Sequence, residues 1–247
     1  MSIKKAKRKE HEERKLQMIG PNASFPFVEA YKALRTNLNF MAVANNYKKI
    51  IVTSAIPLEG KSNVAVNLAV SIAETHKRVL LIDTDLRKPM LHKYLHINRN
   101  VAGLTSVLSG MAKFSDARIC YTDIGIDVLS AGVIPPNPAE LLGSATMERL
   151  LMALEREYDY IIMDTPPISV VTDAAVLGRF ADGAILVIRQ QYSTIESTKL
   201  AQKNLESVGV KLIGAVLNDY DIKITPEGRG YSKDKYYYSK DYEYKSK

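Results

Sequence analysis

Short runs of aliphatic and β-branched residues recur along the chain, and longer stretches with helical spacing separate them. Each run is continuously apolar and does not alternate with polar residues, which is typical of strands that are buried on both faces of a sheet. The predicted strands are residues 49–54, 78–82, 126–129, 160–163, 183–188 and 212–217.

The stretches between these strands predict helices. Val64, Leu68 and Ile72 recur at every fourth position and form one face of a helix after the first strand. The other predicted helices are residues 25–40, one helix that follows Pro138 and continues to Leu154, and residues 194–207, which Gly209 ends. Strands that alternate with helices predict an α/β fold with a mostly parallel sheet covered by helices on both faces.

The distribution of the net charge along the chain indicates which classes of partner to expect. The chain has 247 residues, of which 46% are hydrophobic, enough for one domain with a substantial core. Its charge of +7 lies at the two ends, because residues 1–15 carry seven basic and three acidic residues and residues 228–247 carry six and three. The part between them is neutral, so we expect no basic groove in the folded body and no nucleic-acid partner.

Other features exclude whole classes of protein. Cys120 is the single cysteine, which excludes a disulfide framework and favours an intracellular protein. The first fifteen residues are charged and do not form a secretory signal. Apolar runs such as residues 184–188 are far shorter than the roughly 18 residues that a membrane span needs. We therefore expect a cytoplasmic protein that reaches a membrane only through a partner.

Residues 54–62, Ser-Ala-Ile-Pro-Leu-Glu-Gly-Lys-Ser, follow the first strand and precede a helix. In that context the pattern G-x-x-x-x-G-K-[ST] forms a phosphate-binding loop, although Ala55 replaces its first glycine here. Gly60 permits close approach to the phosphates, Lys61 neutralises their oxygens, and Ser62 offers a hydroxyl to Mg²⁺. The sequence thus predicts a nucleotide site at this loop.

Carboxylates follow two further predicted strands. Asp83 and Asp85 lie directly after residues 78–82, and Asp164 follows residues 160–163. In parallel α/β sheets the carboxyl ends of the strands are where ligands bind. Acids placed so close together are costly unless a cation such as Mg²⁺ offsets their charge.

Together, four segments resemble the bacterial tyrosine kinases of capsule and exopolysaccharide synthesis. They are the loop at residues 54–62, Ile-Asp-Thr-Asp-Leu-Arg-Lys-Pro at 82–89, Gly-Val-Ile-Pro-Pro-Asn-Pro-Ala-Glu-Leu-Leu at 132–142, and Asp-Thr-Pro-Pro at 164–167 with Thr-Asp-Ala at 172–174. The likeness spans roughly residues 25–244. It implies a P-loop kinase domain over residues 25–227, between a basic N-terminal arm at 1–24 and a flexible tyrosine-rich tail at 228–247.

The resemblance also implies functional residues. Lys61 would bind and polarise the phosphates of ATP. Mg²⁺ would be held by Ser62, Asp85 and Asp164. The predicted catalytic residues are Lys61, Asp83 and Asp85, with Asp83 as the general base. The predicted nucleotide contacts are Glu59, Gly60, Lys61, Ser62, Asn63, Asp164 and Asn218. Asn218 resembles the residue that reads adenine. The alternative interpretation, that Asn218 is only a turn residue, has nearly equal weight. The predicted phosphoacceptors are Tyr231, Tyr236, Tyr237, Tyr238, Tyr242 and Tyr244.

The implied partners are a transmembrane activator of the chain-length-regulator type, a cognate tyrosine phosphatase, protein substrates and further copies of the chain in a ring. In the family the oligomerisation helix carries E-x-x-R-x-x-R, and here the positions are Glu29, Lys32 and Arg35. Lysine lacks the planar fork of arginine, so we expect a weaker or activator-dependent ring. The family also has Thr where this chain has Asn63, which removes one hydroxyl contact to a phosphate.

Two alternatives stay open at the level of sequence. A partition or division-positioning ATPase would share the P-loop class and act as a binding switch, but its loop carries a Lys where this chain has Ile56 and a Gly where it has Pro57. A non-catalytic scaffold would use the tyrosine-rich tail as a ligand for another protein. The loop and the tail favour the kinase.

Overall fold

A computed structural model describes residues 17–220 of the chain. The helices are α1 (Phe25–Asn45), α2 (Lys61–Ala73), α3 (Leu91–Tyr94), α4 (Leu104–Leu108), α5 (Phe114–Ala117), α6 (Pro138–Leu142), α7 (Ala145–Leu154), α8 (Asp173–Gly178) and α9 (Ile195–Ser207). The strands are β1 (Lys49–Ser54), β2 (Val79–Asp83), β3 (Ile119–Tyr121), β4 (Ile126–Leu129), β5 (Tyr160–Asp164), β6 (Gly183–Arg189) and β7 (Leu212–Asn218). The predicted bounds of the arm and the tail stay predictions, because the tail and most of the arm lie outside the described residues.

In residues 17–220 the strands form one sheet in the order β3-β4-β2-β5-β1-β6-β7. Every neighbouring pair is parallel except β3 with β4. Apolar side chains pack on both faces of the sheet, against α1 and α2 on one side and against α7 and α9 on the other. The predicted fold class is confirmed, and β1, β2 and β5 are the buried central strands that their continuous apolar runs predict.

Three local features differ from the sequence prediction. The single helix expected after Pro138 is two helices, because Gly143 and Ser144 interrupt it and the Ser144 hydroxyl caps α7 by accepting the amide hydrogen of Met147 at 3.2 Å. The predicted buried strand at residues 212–217 is β7, whose residues are exposed or half-buried because it lies at the edge of the sheet. The short antiparallel strand β3 at the other edge was not predicted.

The order of the strands gathers the acidic residues. β5 lies between β2 and β1, and Asp83 pairs in register with Asp164. Val52, two residues before the end of β1, is the partner of Asp164 on the other side. The phosphate-binding loop that follows β1 therefore begins beside both carboxylates. None of the helices in residues 17–220 is both long and apolar enough to cross a membrane.

Candidate active site

The phosphate-binding loop joins β1 to the amino end of α2. Gly60 is the N-cap of this helix and has a φ of 90°, in the left-handed region that favours glycine. A Cβ atom at this position would lie 2.0 Å from Nδ2 of Asn218. The loop thus places its backbone close to Asn218 of β7, at the N-terminus of the 13-residue helix α2. In other proteins, the backbone N–H groups at the N-terminus of a helix bind phosphate.

Lys61 is the centre of a buried charge cluster. Its Nζ atom lies 2.9 Å from Oδ2 of Asp85 and 3.6 Å from Oδ1 of Asp164. Burial alone would lower the pKa of Lys61, but the charges of Asp164 and Asp85 outweigh it and raise that pKa. The ammonium group is therefore charged at neutral pH and surrounded by more negative charge than it can balance.

Asp164 has no exposed surface, and neither of its carboxylate oxygens has a hydrogen-bond partner among the described residues. Burial raises the pKa of this carboxyl group above its ordinary value, and the charge of Lys61 offsets this only in part. A buried carboxylate without hydrogen bonds is costly in a folded protein, even with an ion pair such as the one to Lys61 at 3.6 Å. The Asp164 carboxylate therefore fits the role of a ligand whose negative charge a bound cation would offset.

Asp83 is also buried, but its carboxylate is held in place. Oδ1 accepts the amide hydrogen of Asp85 at 3.2 Å, and Oδ2 accepts that of Leu91 at 3.1 Å. Burial and the charge of Asp164 raise the pKa of Asp83 well above its ordinary range. A fixed carboxylate with a raised pKa is a stronger base than an exposed aspartate, as the predicted role of Asp83 requires.

Two contacts that were not predicted fix the loop after β2. Arg87 donates from Nε and Nη2 to the two carboxylate oxygens of Asp173, at 2.8 and 2.9 Å. Asp173 has no exposed surface and begins α8. Thr84 donates its hydroxyl hydrogen to the backbone oxygen of Asp164 at 2.7 Å. The loop that carries Asp85 is thus tied to both β5 and α8.

Glu59 was predicted to contact the nucleotide, and its side chain instead braces the loop. Its carboxylate is fully buried and accepts the amide hydrogen of Ile56 at 2.8 Å. The Ser193 hydroxyl donates to the other carboxylate oxygen and accepts the amide hydrogen of Arg189 at 2.8 Å. Any contact of Glu59 with a nucleotide would therefore come from its backbone. We call Glu59, Arg189 and Ser193 the loop brace.

Asn63 and Asn218 make different contacts near the loop. Asn63 faces the N-terminal segment, since its Nδ2 donates to the backbone oxygen of Gln17 at 2.8 Å and its Oδ1 accepts from the Tyr31 hydroxyl at 3.4 Å. Asn218 donates from Nδ2 to the backbone oxygen of Glu59 at 2.9 Å. Asn63 thus ties residue 17 to the P-loop helix in this structure, while Asn218 contacts the loop directly.

The three predicted interface residues of α1 differ in their contacts. Glu29 and Lys32 form an exposed ion pair with each other at 2.8 Å. Arg35 reaches across to the end of α2, where Nη1 donates to the backbone oxygen and hydroxyl of Ser71 and pairs with Glu74 at 3.1 Å. Its side chain is only 15% exposed, so in this chain Arg35 ties two helices together.

The donors around the loop fit Mg²⁺ bound together with a nucleotide. No group of three or more His, Cys, Asp or Glu residues in the described part of the chain forms a ready-made metal cage. Mg²⁺ characteristically uses one or two carboxylates, substrate phosphates and water. The oxygens of Asp164, which accept no hydrogen bond from the described residues, and the carboxylate of Asp85 provide such ligands near Ser62. The predicted phosphoacceptor tyrosines all lie outside the described residues.

This fold and site define a P-loop nucleotide-binding domain. The family model of the AAA domain matches residues 47–212, which include the loop and all three aspartates. A tyrosine-protein kinase of Bacillus subtilis, YwqD, is 45% identical over 190 residues, covering 77% of this chain and 80% of the relative. The chain belongs to the family of bacterial tyrosine-protein kinases, and the predicted resemblance is confirmed.

Solved structures agree with this family. The kinase domain of Escherichia coli tyrosine kinase ETK has a TM-score of 0.77 and 34% identity, and the match covers 94% of this chain and 92% of that one. The cell division ATPase MinD of Pyrococcus furiosus matches with a TM-score of 0.59 and 25% identity, over 73% of this chain and 76% of that one. The kinase is the nearer of these two. The chain spans 80% of the Bacillus relative but only 32% of the Wzc kinase of Salmonella typhimurium.

Proposed function

We propose that this protein is an ATP-dependent protein-tyrosine kinase that phosphorylates its C-terminal tyrosine cluster in trans. The observation that supports this most directly is the convergence of Lys61, Asp83, Asp85 and Asp164 at the head of the P-loop helix. The names of the relatives supply the class of acceptor, because the related proteins are described as tyrosine-protein kinases.

ATP would lie on the backbone of the phosphate-binding loop, with Lys61 against its terminal phosphates. Ser62, Asp85 and Asp164 would hold Mg²⁺, which supplies positive charge to the phosphates when it is bound. The observation that supports this set is the absence of any hydrogen-bond partner for the two oxygens of Asp164 among the described residues.

Asp83 would act as the general base for the acceptor. A tyrosine hydroxyl has a pKa of about 10 and is a poor nucleophile at neutral pH unless a base accepts its proton. In the proposed step the proton moves to the Asp83 carboxylate and the phenol oxygen forms a bond to the γ-phosphorus. The bond between that phosphorus and the β–γ bridging oxygen breaks, and ADP leaves.

The tail is the proposed regulatory segment as well as the substrate. Its last twenty residues carry six basic and three acidic residues, and each phosphate would add about −1.5 to −2 charges. Two or three phosphates would therefore reverse the local charge, repel the tail from the buried carboxylates of the active site and dissociate the ring. The proposed setting is the inner face of the cell membrane, where a transmembrane partner activates the kinase in capsular or exopolysaccharide synthesis and a tyrosine phosphatase opposes it.

The deciding experiment is incubation with Mg·ATP followed by phosphotyrosine mapping, with and without the cytoplasmic segment of a candidate activator. We expect phosphate on the tail of the wild type and none on Lys61→Ala or Asp83→Ala. The matched control is Ser115→Ala, an exposed residue of α5. ATP hydrolysis without labelling would favour a partition-type ATPase, and neither activity would favour a scaffold. A wild type that stays unlabelled even with the activator segment contradicts the proposal.

A further inference from the structure

A small cleft opens beside Asp83, and the other residues of its wall have no role assigned above. Its walls include Asp83, His92, Arg99 and Ser130. The enclosed part holds about 20 Å³, which is room for one water-sized group. A hydroxyl or carboxylate oxygen therefore fits inside it, and an aromatic ring would have to lie above it. We call these four residues and the space between them the Asp83 cleft.

Ser130 provides an unsatisfied polar group in this cleft. Its residue is only 5% exposed, and its hydroxyl has no hydrogen-bond partner among the described residues. Leaving a buried hydroxyl unpaired costs about 1–3 kcal/mol, so a polar guest that bonds to it is favoured. The cleft therefore combines a carboxylate that can accept a proton with a hydroxyl that lacks a partner.

The position of Ser130 is fixed by the backbone around it. Its carbonyl oxygen accepts the amide hydrogen of Leu104 at 2.7 Å, and the next carbonyl, of Ala131, accepts that of Thr105 at 3.0 Å. A Cβ atom at Gly103 would lie 2.4 Å from the Ser130 oxygen and 2.4 Å from the Gly132 nitrogen. This tight crossing of two backbone segments requires glycine, and it holds the wall of the cleft in place.

The rim of the cleft is basic. Arg99 is exposed, and its guanidinium pairs with no carboxylate in residues 17–220. His92 lines the cleft together with Arg99. Burial lowers the pKa of His92, and the positive charges of Arg99 and Lys93 lower it further. The cleft thus has an acidic floor at Asp83 and an unpaired cation at its rim.

Two of the six predicted acceptor tyrosines, Tyr242 and Tyr244, have acidic residues directly beside them. Asp241 and Glu243 flank Tyr242, and Glu243 also precedes Tyr244. We propose that the Asp83 cleft is the acceptor subsite, in which the phenol hydroxyl reaches Asp83 and Ser130 while an acidic residue beside the tyrosine pairs with Arg99. The kinase would then select tyrosines with acidic neighbours. This inference rests on the proposed kinase function and adds the substrate class.

The test uses the full chain as both enzyme and substrate. An isotope-labelled Lys61→Ala chain, which cannot phosphorylate itself, presents the tail to an unlabelled enzyme. The labelling rate of Tyr242 is measured by mass spectrometry for the natural tail and for a tail with Asp241→Asn and Glu243→Gln. We expect the wild-type enzyme to prefer the acidic tail by about threefold to fivefold, as for one exposed ion pair.

Variants of the enzyme then separate the two parts of the subsite. Arg99→Glu should reverse the preference, and Arg149→Ala should retain it, because Arg149 is an exposed arginine of α7 whose Nη2 atom contacts Thr146. Ser130→Val should slow both tails equally. Equal labelling of both tails by the wild type, or an unchanged preference in Arg99→Glu, overturns the subsite alone. Absence of phosphate on every tyrosine overturns the proposed kinase function with it.

Discussion

The guanidinium group of Arg189 donates from Nη1 to the backbone oxygen of Leu58 at 3.2 Å, so the end of β6 holds the phosphate-binding loop from outside. Leu58 has a φ of 69°, a region that non-glycine residues rarely adopt. Nε of Arg189 also pairs with Asp219 at 3.0 Å, just after β7. The loop lacks the first glycine of its pattern, at Ala55, and its shape is stabilised by distant side chains instead.

The first prediction concerns the loop brace. Ser193→Ala removes the hydroxyl that joins the Glu59 carboxylate to the backbone of Arg189. The Glu59 carboxylate then keeps only the Ile56 amide as a partner, at a cost of about 1–2 kcal/mol. We expect KM for ATP to rise by about fivefold to tenfold with a smaller change in kcat, measured by steady-state kinetics at fixed acceptor concentration.

Two controls show whether this effect depends on positioning of the loop. Ser193→Thr keeps a hydroxyl and should restore most of the affinity for ATP. Ser115→Ala removes an exposed hydroxyl whose one hydrogen bond within residues 17–220 is to Asp116, and it should leave KM unchanged. If Ser193→Ala and Ser193→Thr lose the same affinity, the hydroxyl does not hold the loop.

The central part of the site was predictable because its signals are local. A continuous apolar strand, a Gly-Lys-Ser sequence and a helical repeat are all adjacent in the chain, and the rule that ligands bind at the carboxyl ends of strands brings Asp83 and Asp164 to the same place. The topology then puts these two residues in register, a pairing that the sequence did not predict.

The remainder depends on contacts that no local pattern contains. Arg189 and Leu58 are 131 residues apart, and Ser193 and Glu59 are 134 residues apart. The motif alone predicts that Glu59 contacts the nucleotide, and it contains no signal for the contact between the Glu59 side chain and the turn after β6. Likewise, the edge strand β3 has only three residues, too few for a pattern to predict it.

The second prediction concerns pH. Because Asp164 has a raised pKa when folded and an ordinary pKa of about 4 when unfolded, the folded state binds the proton more tightly between these values. This group therefore makes the nucleotide-free protein more stable as pH falls through the raised pKa. We expect Asp164→Asn to lose that part of the pH dependence, so that its Tm rises less than the Tm of the wild type as the pH falls.

Thermal unfolding monitored by circular dichroism from about pH 8 to pH 5 measures this difference between the two proteins. The charge of Asp164 also raises the pKa of Asp83 and of Lys61, so the difference between the two proteins measures Asp164 together with its coupling to these two groups. Adding Mg·ADP should stabilise the wild type more than Asp164→Asn. Identical pH profiles of the wild type and Asp164→Asn would mean that the pKa of Asp164 is not raised in the folded protein.

The third prediction separates Arg35 from its neighbours on α1. Arg35→Ala removes a mostly buried tie to Ser71 and Glu74, and we expect it to lower the free energy of unfolding by about 1–2 kcal/mol. Lys32→Ala removes one exposed ion pair and should cost under about 0.5 kcal/mol. Urea unfolding of the isolated protein measures both values. Equal effects would contradict the tie between the helices.

The fourth prediction concerns self-association through α1, the predicted interface helix. Lys32→Arg restores a planar fork at the position where the family has arginine, so it should strengthen the ring without changing monomer stability. Size-exclusion chromatography with light scattering over a range of concentrations measures the oligomer. A stable octamer of the unmodified chain alone would contradict the expected weak association.

The last prediction concerns the choice of base. Asn218 uses Nδ2 for the backbone oxygen of Glu59, and its Oδ1 accepts no hydrogen bond within residues 17–220. An amide oxygen in this position can accept a hydrogen from the 6-amino group of adenine, and guanine has a carbonyl oxygen there instead. We expect Asn218→Ala to weaken ATP binding by about tenfold and GTP binding by less, so that the preference for ATP shrinks. Competition of each nucleotide against a fluorescent ADP analogue measures the two affinities. If Asn218→Ala weakens both nucleotides by the same factor, Asn218 supports only the loop, and the turn-residue interpretation is correct.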